Sequence, residues 1–251
     1  MTRVIKMGGN ELDTPGFLEA LARDLAMPRH PGRPPVIVHG GGKEIAALQT
    51  RLGIEPVKVD GLRVTDAASL DVAEMVLSGR ANKQIVRALL AGGLDAVGLS
   101  GVDGRLLTAR KKQHPTADLG LVGDITAVRL PLLQHLLQMG IIPVISPISL
   151  GDDGQTYNVN ADEAAAAIAA ALAADTLDFV SNVPGVLAGG RLLPHLTPET
   201  TEALIADGTI AGGMIPKVRA ALDALARGVA RVRIVDLGGL RESGGTVFSG
   251  Q

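Results

Sequence analysis

The sequence contains no cysteine and no tryptophan, and only one tyrosine and three phenylalanines. Without thiols, disulfides, thiolate metal centres and cysteine-based catalysis are excluded together. The same absence agrees with a reducing cytoplasm. With so few rings, the core must be built from Val, Ile, Leu and Ala, which suits strands buried on both faces and the helices that cover them. A formal net charge of −2 offers no basic footprint for a nucleic acid. The longest apolar run, around Ala164–Ala174, is too short and too rich in alanine to span a bilayer. No secretory leader opens the chain, which passes through Met1-Thr2-Arg3-Val4-Ile5-Lys6 into a strand-like segment. A soluble cytoplasmic protein is expected.

What is present is a chain of 251 residues, 46% hydrophobic and 20% charged, the composition of a globular domain able to bury a large core. Its 32 glycines are clustered, as expected where backbone must turn sharply or approach a ligand. Short apolar runs at Arg3–Lys6, Val36–His39, Ala96–Leu99, Ile142–Ser146, Leu177–Ser181 and Arg231–Val235 read as strands. Amphipathic stretches at Gly16–Ala26, Lys43–Leu52, Asp66–Leu90, Pro131–Met139, Ala161–Ala173 and Met214–Arg227 read as helices. This alternation predicts a mainly parallel sheet with helices on both faces. Val57–Val64, with Asp60-Gly61 at its centre, and Leu106–Arg129 read as hairpins inserted into that rhythm. No linker or repeat divides the chain, so a boundary between two lobes is expected inside a continuous sheet, near residues 172–176.

In open parallel sheets ligands bind beyond the carboxyl ends of the strands. Two glycine loops fall there: Lys6-Met7-Gly8-Gly9-Asn10 and His39-Gly40-Gly41-Gly42, the second opening a helix at Lys43. Exposed amides and a helix N-terminus make an anion cradle, although neither loop is a phosphate-binding G-x-x-x-x-G-K-[ST] sequence or a dinucleotide G-x-G-x-x-G. Either loop alone is equally compatible with a tight turn; together, at neighbouring strand ends, they would aim at one point. In Asn158-Val159-Asn160-Ala161-Asp162-Glu163, Asn160 reads as a helix cap with Glu163 as its capping-box partner. Those roles leave Asn158 unexplained and Asp162 only partly explained. Lys217, in Gly212-Gly213-Met214-Ile215-Pro216-Lys217, sits in the first turn of a helix, where cations are disfavoured; it either points into water or is held there for a phosphate. Arg63, at the end of a hairpin, is either solvated or placed to grip a carboxylate with its planar fork.

Taken in order, VIKMGGN, VIVHGGG, DGLRVTD, VGLSGVDGRLLTARK, YNVNADEAA, SNVPGV and GGMIPKV resemble the acetylglutamate kinase branch of the amino acid kinase family over nearly the whole chain. The resemblance implies the family's three-layer αβα sandwich, with an N-terminal lobe (residues 1–173) that binds the amino-acid substrate and forms a homodimer, and a C-terminal lobe (174–251) that binds ATP. It implies phosphate-stabilising lysines at Lys6 and Lys217, both oriented by Asp162, and amides of Gly9 and Gly41 around the transferring phosphoryl group. Gly41, Gly42, Arg63 and Asn158 match the groups that hold the substrate. Ser181, Asn182, Val183, Pro184, Gly185 and Val186, with Thr209, Ile210 and Ala211, match segments along the nucleotide. Ser181-Asn182 departs from the Thr-Asp or Ser-Asp more usual in the family, which bears on the nucleotide contacts alone.

The implied reaction is phosphorylation of the side-chain carboxylate of N-acetyl-L-glutamate by ATP with Mg²⁺, in arginine biosynthesis. No protein-bound metal site is expected. A carboxylate is already ionised at neutral pH and needs no general base, so His39 reads as a loop-positioning residue. Lys217 is assigned to the leaving β-phosphate and Lys6 to the acceptor side. The alternative acceptor is a carrier-bound α-aminoadipate of lysine biosynthesis, toward which Ser181-Asn182-Val183-Pro184-Gly185 leans while Gly61–Thr65 and Gly213–Val218 lean away. A sensor that has lost catalysis is disfavoured by the joint presence of Lys6, Asp162 and Lys217. Arginine-inhibited members carry an extra N-terminal helix that joins dimers into hexameric rings; with the first strand at about Arg3, the expectation is a homodimer without feedback inhibition by arginine.

Overall fold

The computed structural model describes residues 2–27, 34–242 and 244–250. Among these, eight strands form the main sheet. In chain order they are β1 (Arg3–Met7), β2 (Val36–His39), β3 (Ala96–Ser100), β4 (Ile142–Ser146), β5 (Thr176–Val180), β6 (His195–Leu196), β7 (Val232–Val235) and β8 (Thr246–Phe248). Across the sheet they lie β6-β8-β7-β5-β1-β2-β4-β3. The run from β7 to β3 is parallel throughout, whereas β8 is antiparallel to β7 and carries β6 beside it. The chain therefore builds outward from β1 through β2 on one side and later through β5 on the other. That reversal makes the carboxyl ends of β1, β2 and β5 the switch point at which such sheets bind ligands.

Strand periodicity divides the core in two. Val4, Val36 and Val38 face one layer with the helices Ala161–Ala171 and Met214–Ala226. Ile5, Met7 and Ile37 face the other, against Phe17–Leu25 and Asn82–Ala91. The αβα sandwich expected from the sequence is thus present. The alanine run is buried on all sides within it: Ala164 to Ala169 are at most 9% exposed. Small side chains let this helix lie close to β1 and β5 while the helix Met214–Ala226 packs over it. No helix of the described residues is long and apolar enough to cross a membrane.

Both expected hairpins form. Lys58–Val59 pairs with Leu62–Arg63, and the turn between them puts Asp60 and Gly61 at φ 49° and 81°, the doubly left-handed geometry that Asp-Gly favours. Leu107–Lys111 pairs antiparallel with Val122–Val128. A third hairpin, Ile148–Gly151 with Thr156–Val159, is not among the expectations; it closes the strands of the second into a small four-stranded barrel. The single helix expected over Asp66–Leu90 is interrupted: Ala67–Glu74 and Asn82–Ala91 are α-helical, but Met75–Ala81 is a π-helix. Buried residues still recur four apart, at Ala73, Leu77, Ala81, Ile85 and Leu89, a spacing that an uninterrupted α-helix also gives, so periodicity does not reveal it.

At the expected lobe boundary the helix ends at Ala171, Ala173 turns with φ 45°, and β5 begins at Thr176. The sheet continues across this point. Asp178, wholly buried on β5, sits 2.5 Å from Arg3 Nε of β1 and 2.6 Å from Arg233 Nε of β7. One carboxylate thus ties the three central strands together, its charge paired on both sides as burial requires.

Candidate active site

Lys6 shares the face of β1 with Val4, so alternation along the strand sends it toward the helix Ala161–Ala171. There its Nζ lies 2.8 Å from Asp162 Oδ1. Asn160 caps that helix by accepting from the Asp162 N–H at 2.7 Å, which holds the aspartate backbone beside the lysine. Glu163 does not complete a capping box. Its carboxylate is 3.0 Å from Lys112 Nζ, because the barrel brings the end of Leu107–Lys111 over the helix. Burial pushes the Glu163 carboxyl up, against the pull of Lys112.

The two glycine loops meet. A Cβ added to Gly9 would lie 3.4 Å from Gly41 Cα and 3.5 Å from Gly42 N, so the chains are in contact at these positions. The Gly40 N–H donates to Met7 O at 2.9 Å and couples the strand ends directly. Gly41 begins the helix Gly42–Arg51 without any side-chain cap, so the amides of its first turn stay open to an anion. The π-helix supplies the wall behind: a Cβ on Gly41 would come within 2.9 Å of Leu77 Cδ2.

Arg63 arrives on the short hairpin. Its guanidinium donates to Gln49 Oε1 and, at 2.9 Å, to Gly42 O. Burial pulls it below the ordinary arginine value, yet a guanidinium stays protonated. Thr65 Oγ1 donates to Arg63 O at 3.0 Å and accepts from Asn158 Nδ2 at 3.3 Å. The barrel strand Thr156–Val159 and the hairpin are thereby joined. Lys6, Gly9, Gly41, Gly42, Arg63, Asn158 and Asp162 all line one cavity of about 300 Å³, walled by Leu77 and Val122.

Lys217 reaches the same region from the helix Met214–Ala226, and its Nζ donates to Ser181 Oγ at the end of β5. Burial pushes its ammonium down; Glu11 opposes that, Lys6 adds to it, and Asp162 opposes it. Asp162 therefore bonds Lys6 directly and acts on Lys217 through its charge. Among the segments expected along a nucleotide, Asn182, Pro184, Thr209 and Ala211 are exposed and Val183 half-buried. Val186 and Ile210 are each 1% exposed and pack in the core, so these two present only main chain. Gly185, at φ 156°, is pressed against Thr246.

His39 is completely buried and held well below the ordinary histidine value, at about 4, by that burial. Neutral, its Nδ1–H donates to Gly40 O and its Nε2 accepts from Asn82 Nδ2, each at 3.2 Å. Asn82 also donates to Val144 O at 2.9 Å. The ring positions the glycine loop, as expected, and has no path to a substrate.

Three residues of the site carry weaker sequence signals. Gln49 reads as a polar position on an amphipathic helix, yet it is 1% exposed and orients Arg63. Leu77 lies within the unforeseen π-helix. Glu11 looks like an ordinary acid after a glycine pair, but is 5% exposed and accepts the Gly8 N–H at 2.9 Å. Among the described residues no group of three or more His, Asp or Glu is disposed to hold a metal ion.

The model of the amino acid kinase family matches residues 1–236. The chain is 56% identical to acetylglutamate kinase of Roseiflexus castenholzii over 248 residues, covering 99% of this chain and 94% of that one. It is 51% identical to acetylglutamate kinase of Geobacillus thermodenitrificans over 236 residues, covering 93% and 89%. Its fold is similar to that of N-acetylglutamate synthase from Neisseria gonorrhoeae, with a TM-score of 0.87 at 27% identity, all of this chain aligning with 59% of that one. Converging glycine loops, lysines brought in from β1 and from a C-terminal helix, and these likenesses together make the chain a member of the amino acid kinase family.

Proposed function

We propose that this protein transfers the terminal phosphoryl group of ATP to the side-chain carboxylate of N-acetyl-L-glutamate, forming N-acetyl-L-glutamyl 5-phosphate in arginine biosynthesis. The observation that carries this reading is the single cavity in which the Lys6–Asp162 pair and both glycine loops face Arg63 and Asn158. It is supported by relatives named acetylglutamate kinase that are alike over nearly the whole chain.

The acceptor needs no base, because a carboxylate is ionised at neutral pH. The difficulty is to bring it to a polyanion and to stabilise charge on the group in flight. Arg63 grips the α-carboxylate while Asn158 and the Gly41 and Gly42 amides fix the rest of the substrate. Lys6 faces the acceptor side and Lys217 the leaving β-phosphate. Gly9 and Gly41 direct their amides at the transferring group, a preorganised set of donors of the kind that dominates such catalysis. Asp162 orients and does not react. ATP lies along Ser181–Val186 and Thr209–Ala211. No carboxylate cage of this chain would be needed to hold a Mg²⁺ that came with the nucleotide, and such an ion would supply neutralisation of the phosphate charge.

Residues 1–173 form the lobe for the amino acid and for pairing into a homodimer, and residues 174–251 the lobe for ATP, in a cytoplasmic enzyme. A coupled assay of ADP release tests the activity. ADP formation that depends on acetylglutamate is expected. ADP formation with a carrier-linked α-aminoadipate acceptor alone would transfer the reaction to lysine biosynthesis, and none with either acceptor would remove the assignment. Light scattering of the purified protein checks the dimer.

A further inference from the structure

Glu11 lies in the single turn Gly9–Leu12 that follows β1, and its burial is unusual for a carboxylate. Its Oε2 accepts the Gly8 N–H at 2.9 Å. A Cβ added to Gly8 would stand 2.7 Å from that oxygen and 3.8 Å from Lys6 Nζ. The space left by the absent side chain is therefore bordered by the carboxylate and, farther off, by the ammonium. Gly8 has φ −92° and ψ 176°, a conformation open to any residue, so glycine is there for room and not for backbone freedom. The Glu11 charge also acts on Lys217, favouring its protonated form.

Two ammonium groups facing one phosphate site repel each other before any nucleotide arrives, and Asp162 alone balances one of them. We infer that Glu11 is a positioning residue: with Asp162 it forms a carboxylate pair that balances Lys6 and Lys217, while its bond to the Gly8 N–H sets the loop from which the Gly9 amide is presented. The inference rests on the roles proposed above for the two lysines. The charges acting on Lys217 are Glu11, Lys6 and Asp162, and Lys217 must be protonated to serve a phosphate. Removing the Glu11 charge therefore makes Lys217 lose its proton at lower pH.

The experiment compares Glu11→Gln, Glu11→Ala and Glu11→Asp by kcat, KM for both substrates and the alkaline limb of kcat against pH, with Lys6→Met and Lys217→Met alongside. Glu11→Gln can still accept from the Gly8 N–H. It is expected to lower kcat about ten- to a hundredfold, the scale on which outer-sphere partners act, with little change in KM for acetylglutamate and the alkaline limb moved to lower pH. Glu11→Asp keeps the charge and should hold the limb near its wild-type position. If Glu11→Gln matches the wild type in kcat and pH profile while Glu11→Ala does not, the residue is only a loop cap and the inference is overturned. A limb displaced as far in Glu11→Asp as in Glu11→Gln overturns it too, and this variant decides if the glutamine protein does not fold. Should both lysine variants keep wild-type kcat, the reading of the active site itself is wrong; loss of kcat in them with an unaltered Glu11→Gln removes the Glu11 inference alone.

Discussion

Lys6 Nζ and Asp162 Oδ1 lie 2.8 Å apart, joining the end of the central strand to the first turn of the most deeply buried helix. The lysine comes from the sheet and the aspartate from the layer above it, so the pair registers the two layers at the point where charge is to be managed. Asp162→Asn should keep the helix, which Asn160 caps, while releasing the ammonium. A fall in kcat of about ten- to a hundredfold is expected, with KM for acetylglutamate nearly unchanged, as for an interaction that matters mainly in the transition state. Steady-state kinetics in both substrates checks this, and a rise confined to KM would place Asp162 in substrate binding instead.

Lys217 sits half-buried in a helix first turn with Ser181 Oγ as its bonded partner. Lys217→Met should cut kcat roughly 10²- to 10³-fold, the effect of losing one preorganised donor. Ser181→Ala, which leaves the ammonium but frees its aim, should cost less. Measured kcat values in the order wild type, Ser181→Ala, Lys217→Met are expected; a Lys217→Met protein that is folded and within a few-fold of wild type would leave Lys6 and the metal to carry the chemistry.

Arg63 is braced by Gln49 and by Gly42 O. Arg63→Ala is expected to raise KM for acetylglutamate by about ten- to a hundredfold, in line with about 1.5–3 kcal/mol for a hydrogen bond to a charged group, with far less effect on KM for ATP. Gln49→Leu should move the same constant in the same direction by less, since it leaves the guanidinium but removes its brace. An unchanged acetylglutamate KM in Arg63→Ala would take Arg63 out of the substrate site.

His39 makes stability depend on pH. In the unfolded chain it titrates near 6.5, and in the folded protein at about 4. Between those values the unfolded state binds a proton that the folded state excludes, so this contribution is complete above about 6.5 and is lost as pH falls toward 4. At about 1.36 kcal/mol for each unit, its scale is about 3 kcal/mol. Calorimetry of the wild type and His39→Asn should show a lower Tm for the variant at pH 7.5 but a shallower decline between pH 6.5 and 4. Parallel declines would mean that other groups set the acid sensitivity.

Much of this architecture was legible because its elements obey a single period. β1, β2, β4 and the helix Gly42–Arg51 are short, apolar or amphipathic, and bounded by glycine. The helix Pro198–Ala206 lacks a clear apolar period, and its sequence signal is a cap alone: Thr197 opens it with a bond from the Thr200 N–H. The hairpin Ile148–Val159 is silent in the sequence for a different reason. Its strands, ISLG and TYNV, are too short to show alternation, and their stability comes from pairing with Leu107–Lys111 and Val122–Val128.

Local spacing and composition are enough to set the layering of strands and helices, the two glycine loops at strand ends, and the placing of Lys6, Asp162 and Lys217 at element termini. Long-range packing alone brings Asn158 to the cavity through a closed barrel, sets Gln49 against Arg63 and turns Glu163 away to Lys112. Each of these depends on groups far apart in the chain meeting across elements, and a buried charge takes the partner that packing brings to it, which no local period records.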